Sequence, residues 1–127
     1  FYGEWLMSAQ IDHIVVAPSG IFVIEVKNWS KKFVQDSNFF DPYQQVERAS
    51  YLCYKLIGEK YNLKTRSIIV HKGFIPEKPS DSHAKVLKIG EVKGYILWFK
   101  ESIANDQVVK DVTNWLANSY GDTIYPR

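Results

Sequence analysis

One cysteine in 127 residues, Cys53, has no second cysteine to pair with, so an internal disulfide framework is excluded and a reducing, cytoplasmic setting is the expectation. Long apolar runs are missing too: none approaches the roughly 18 residues of a membrane span, and no charged-then-apolar leader ending in small residues opens the chain. Neither sign of charge dominates. Lys and Arg total 16 against 14 Asp and Glu, a formal +2, which is too little for a general field that attracts nucleic acid, so any basic surface must be local. There is no internal repeat and no low-complexity tract. What is present is a hydrophobic content of 46%, enough for a single domain spanning residues 1–127 with a proper core, and a chain too short to expect a second. It opens at Phe1 rather than at methionine and is read as a piece of something longer.

The pattern along the chain is mixed. FYGEWLMSA, residues 1–9, reads as a short strand. QIDHIVV (10–16) and IFVIEVK (21–27) are rich in β-branched and aromatic residues, and Ala17-Pro18-Ser19-Gly20 between them carries turn chemistry, because Pro pre-sets φ and Gly tolerates a positive one. Apolar residues on both faces of both runs place this hairpin centrally in a sheet. Residues 28–40 lack a clean period and read as a loop with a short strand. From Asp41 a helix is expected: Asp41 is a good N-cap, Pro42 suits the first position, and Gln44 has capping-box spacing. Val46, Ala49, Cys53, Leu56 and Ile57 make its apolar stripe. Strands at 67–71 and 85–89 follow, 94–99 reads equally as strand or as the approach to a helix, and a last helix carries Val108, Val109, Val112, Trp115 and Leu116 on one side, with Asn105 or Asp106 as its cap. The fold class is α/β, a mixed sheet flanked by helices.

Three charges interrupt the apolar hairpin: Asp12, Glu25 and Lys27. Residues two apart in a strand share a face, so Glu25 and Lys27 project together about 7 Å apart, with Val26 turned away. A two-residue Pro18-Ser19 loop with Ala17 opposite Gly20 sets Asp12 across from Glu25. A glycine bulge after the turn shifts the pairing by one and turns Asp12 away. If the carboxylates converge, they and the Val26 carbonyl form a set of hard oxygen donors suited to Mg²⁺ (or Mn²⁺). Lys27 then stands where it can orient an attacking water and offset charge on a phosphoryl transition state. On spacing alone, a Glu-x-Lys pair is more often a solvated edge or a structural ion pair. The surrounding apolar residues argue against an ordinary exposed strand.

QIDHIVVAPSGIFVIEVKN, followed by DPYQQ at a helix start, resembles the nuclease-related domain (NERD) family of the PD-(D/E)xK restriction-endonuclease-like superfamily. The resemblance is specific over residues 10–28, weaker at 41–45, and topological onward to about residue 118. It implies a restriction-endonuclease-like core, with Asp12 and Glu25 as metal-ligating acids, Lys27 as the catalytic lysine and Gln44 as the glutamine at the helix start, and Mg²⁺-dependent cleavage or processing of DNA. The family's amino-terminal helix has no counterpart in FYGEWLMSA, so a domain lacking that helix is expected.

The remaining candidates have plainer readings. Gln44 is explained as well by capping as by function. His13 faces away from Asp12 as a core or interface histidine, His71 and His83 are too scattered for a zinc site, and Cys53 reads as core. Gln10 opens the strand that carries Asp12. Lys31, Lys32, Lys64, Arg66 and Lys72 form a phosphate rim only if their loops cluster, and Trp29, Phe39, Phe40 and Tyr43 read first as packing. Two functions therefore stand: a metal-dependent deoxyribonuclease, with a homodimer suited to two-strand cuts, or a non-catalytic nucleic-acid- or protein-binding module of the same fold.

Overall fold

The computed structural model describes residues 13–35 and 41–120. Its sheet has four strands in the order β1-β2-β3-β4: β1 His13–Ala17, β2 Gly20–Lys27, β3 Thr65–His71 and β4 Lys85–Leu87. β1 runs antiparallel to β2, while β3 and β4 are parallel to it, so the sheet is mixed. Among the described residues it is accompanied by four α-helices, α1 Lys31–Gln35, α2 Pro42–Cys53, α3 Val92–Trp98 and α4 Asp106–Tyr120, by a π-helical turn, Tyr54–Gly58, that prolongs α2, and by short 3₁₀ helices at Glu59–Tyr61 and Ile89–Glu91. The fold is α/β, consistent with a restriction-endonuclease-like core.

The turn chemistry sets the hairpin. Ala17 stands opposite Gly20 and the pairing continues without a bulge to His13 opposite Ile24. Gly20 has φ +147°, and a Cβ there would lie 2.7 Å from the Lys64 carbonyl oxygen, so the close approach of chain 64 to the turn requires glycine. That approach is used: Ile21 N–H donates to the Lys64 carbonyl at 2.9 Å, and Arg66 donates to the Ser19 carbonyl at 3.1 Å. β2 is central, with every residue from Gly20 to Glu25 buried, whereas β1 is an edge strand among the described residues. The expectation that both hairpin strands are central holds for β2 alone.

Alternation along β2 divides the core into two layers. Ile21 and Val23 face α2 and α4 and pack with Tyr43, Val46, Ala49, Cys53, Ile69, Val112 and Leu116. Phe22 and Ile24 face the other way, joining Ile68, Val70 and Leu87 beneath Val92, Tyr95, Ile96 and Phe99 of the α3 region. Helices therefore cover both faces, as a sheet with strands apolar on both sides requires.

Asp41 caps α2 as its residue type predicts, its Oδ1 accepting from the amides of Tyr43 at 2.9 Å and Gln44 at 3.3 Å. The far end departs from the regular stripe. The wider π-helical turn shifts the phase, so Ile57 and Gly58 are buried and Leu56 only half so. Three further expectations are corrected. Residues 31–35 are helical rather than loop or strand. The 85–89 strand stops at Leu87, because Ile89–Glu91 turns as a 3₁₀ helix. Residues 92–98 form helix α3, whose Tyr95 and Ile96 lie one turn from Val92 and Phe99 and so share its buried side. The last helix is capped by Asn105, whose Oδ1 accepts from Val108 N–H at 2.9 Å. The strand expected in residues 1–9 lies outside the described residues.

Candidate active site at the carboxyl end of the central strand

β2 ends in Glu25-Val26-Lys27, and here the apolar strand changes character. Glu25 continues the Ile21–Val23 face and is only 3% exposed, a burial that ordinary solvated acids do not have. Val26 points the other way and is exposed. Lys27 returns to the Glu25 face, its Nζ 3.9 Å from Glu25 Oε2. The ammonium is fixed from a second side, donating to Gln45 Oε1 at 3.2 Å, and sits 5.3 Å from the centre of the Trp29 ring. A lysine with three donors is thus held by a buried carboxylate, an amide oxygen and an aromatic face, with its head still reachable from solvent.

Two neighbouring segments build this corner. The amino end of α2 brings Gln45 over the end of β2, and β3 runs beside β2 in register, setting His71 next to Lys27 and the buried Ile69 next to Glu25. Beyond the strands the chains stay together: Lys72 N–H donates to the Lys27 carbonyl at 3.0 Å, and Trp29 pairs with Phe74 in an isolated antiparallel bridge. His71 Nδ1 lies 3.1 Å from the Gly73 carbonyl, which can only accept, so that nitrogen is the donor of the bond.

Of the two adjacent glutamines at the start of α2, the one bonded to Lys27 is Gln45, the neighbour of the Gln44 expected from sequence. Gln44 is exposed, with its backbone amide on the Asp41 cap, whereas Gln45 reaches Lys27. Helical phase explains this: Gln45 lies one turn before the buried Ala49, while Gln44 is two positions from buried Val46 and so nearly opposite it. The same arithmetic, applied to the stripe Val46, Ala49, Cys53, is the sequence signal that turns Gln45 rather than Gln44 towards the sheet. Asp12 and Gln10 lie outside the described residues. Among the described residues no three His, Cys, Asp or Glu side chains gather as a metal cluster.

The five basic residues considered for a phosphate rim divide between opposite ends of the sheet. Lys31, Lys32 and Lys72 are exposed in segments that follow β2 and β3, at the Lys27 end. Lys64 and Arg66 sit at the start of β3. Arg66 is committed there, 3.9 Å from the Phe99 ring centre and 3.6 Å from Glu101. Tyr43 is buried, and its hydroxyl donates to the Pro76 carbonyl, pinning the loop after β3 onto α2. Burial, then the charges of Asp41 and Glu77, push its phenol above the usual 10.0. Phe39 and Phe40 lie outside the described residues. His13 is exposed, so it is not the core histidine that was one of its two expected readings, and Cys53 is fully buried in the core. His83 is far along the chain from the Lys27 corner, its amide on Glu47. No helix among the described residues is long and apolar enough to cross a membrane.

Searches of curated proteins and of solved structures returned no match. The family model for the nuclease-related domain matches residues 3–72, from ahead of the hairpin to the end of β3, and that span contains Glu25, Lys27, Gln45 and His71. The chain belongs to the nuclease-related domain (NERD) family.

Proposed function

We propose that this domain is a Mg²⁺-dependent (or Mn²⁺-dependent) nuclease that hydrolyses phosphodiester bonds of DNA at the Lys27 corner. The observation that carries the reading is the buried Glu25 beside a lysine that Gln45 holds in place. The donors suit the ion: Glu25 and the Val26 carbonyl offer hard oxygen, and Asp12, the other acid that the family resemblance implies as a ligand, would add a second carboxylate. A divalent ion bound there supplies polarisation of the phosphate and acidification of water beside it.

The chain's own residues do the rest. Gln45 and Glu25 hold the Lys27 ammonium at one place, so its remaining donor can orient the attacking water and face the negative charge that grows on the phosphate. Such preorganised donors contribute most in a site with little water, and the buried base of this corner is of that kind. Lys27 also offsets the carboxylate charge when the ion is absent.

The test is cleavage of plasmid and single-stranded DNA with Mg²⁺, Mn²⁺ and chelator. Cleavage is expected with either metal and is lost in Lys27→Ala while the far-ultraviolet circular dichroism is retained. Intact DNA across both metals overturns the reading. Salt-sensitive binding that ignores chelation would then assign the domain to the non-catalytic binding class.

A further inference from the structure

Phe74 is a large aromatic residue placed on the surface, 50% exposed, next to the Lys27 corner. Its position is built by the backbone. Phe74 N–H donates to the Trp29 carbonyl at 2.9 Å, and Gly73, at φ +99°, allows that approach. A Cβ at position 73 would lie 2.6 Å from the Trp29 carbonyl oxygen, so a side chain there would force the two segments apart. With Lys72 N–H bonded to the Lys27 carbonyl, residues 72–74 are locked onto 27–29, and Phe74 is paired through its backbone with Trp29, whose ring lies against the Lys27 ammonium. The segments that carry this pair are mainly basic: residues 26–34 and 71–76 include Lys27, Lys31, Lys32 and Lys72, the nearest acids along the chain being the buried Glu25 and Glu77 just outside them. Lys31 Nζ lies 5.8 Å from the Phe74 ring centre.

We propose that Phe74 is a stacking platform for an unpaired base, so that this site takes single-stranded nucleic acid in preference to intact duplex. The inference rests on the nucleic-acid reading of the Lys27 corner and adds the form of the substrate. An aromatic ring flanked by lysines suits a base on its face and phosphates on either side. In a duplex each base already stacks on its neighbours, so Phe74 has nothing to receive and only the lysines contribute.

The test measures binding in EDTA by fluorescence anisotropy, with a labelled oligothymidylate and a duplex of the same length, on wild type, Phe74→Leu and Phe74→Trp. Wild type is expected to prefer the single strand. Phe74→Leu should lose about 5- to 150-fold in single-strand affinity, the range that one stacked base implies, with duplex affinity unchanged, while Phe74→Trp keeps the preference. Equal affinity of wild type for both forms, no binding of either, or an unchanged Phe74→Leu overturns the proposal. Because no metal is present, the readout is separate from catalysis. A Phe74-dependent preference without any cleavage removes only the nuclease reading, and cleavage that ignores Phe74 removes only this one.

Discussion

Lys27→Met keeps an unbranched stem and deletes the ammonium, leaving the buried Glu25 without the cation that faces it across 3.9 Å. At an effective dielectric constant near 20, two unit charges at this distance attract by about 4 kcal/mol. Several effects reduce the net loss. The lysine side chain is 16% exposed, so water screens part of the attraction. Freeing a long side chain returns up to about 2 kcal/mol of rotamer entropy. The hydrogen bond to Gln45 adds a loss in the other direction, about 1.5–3 kcal/mol for a charged donor, partly recovered by water at the amide oxygen. The balance is a destabilisation of about 1–3 kcal/mol. With a urea slope of about 1–3 kcal/mol per molar, the unfolding midpoint should fall by roughly 1 M. Glu25→Gln removes the buried charge, so the double variant should regain much of the loss, giving a coupling of about 1–3 kcal/mol in the mutant cycle. If Lys27→Met unfolds at the wild-type urea concentration or above it, or if the two substitutions are additive, Glu25 and Lys27 do not hold one another and the site as built here is wrong.

Gln45→Ala should lower stability by about 1 kcal/mol through the lost bond to Lys27, whereas Gln44→Ala should stay within about 0.5 kcal/mol. Urea midpoints that rank the two the other way would contradict the helical phase. Tyr43 should give the domain an alkaline dependence. Its folded phenol ionises above the unfolded 10.0, so the stability it contributes is fully present below about pH 10 and is lost as pH rises through the folded value. In Tyr43→Phe, thermal melts from pH 9 upward should therefore decline less steeply than in wild type, and parallel declines would refute the assignment.

Much of this is legible in the sequence, for local reasons. Pro18-Ser19-Gly20 specified the hairpin through backbone preference alone, and Asp41 specified where α2 starts through its capping oxygen. Glu25 and Lys27 stood out because a strand buried on both faces has no cheap place for charge. What escaped depended on tertiary context. The π-helical turn after Cys53 follows from how Gly58 meets Leu63, where a Cβ would lie 2.8 Å from the Leu63 carbonyl oxygen, and no local periodicity encodes that. Residues 92–98 carry no decisive propensity, and the need to cover Phe22 makes them a helix. The contact of Gln45 with Lys27 is different in kind, because the apolar stripe of α2 already sets which of the two glutamines turns towards the sheet.

The crossover from β2 through α2 to β3 has a consequence for how this chain can change. Lys27, Gln45 and His71 all come from that one stretch, and the family match closes with it at residue 72. Later residues such as Val112, Leu116 and Tyr95 meet the sheet through apolar packing, so they answer to volume and water exclusion, which many sequences satisfy. Substitutions after residue 72 should therefore leave the polar corner standing wherever they keep volume and exclude water, because that corner takes its charged and hydrogen-bonding groups from one continuous stretch of chain.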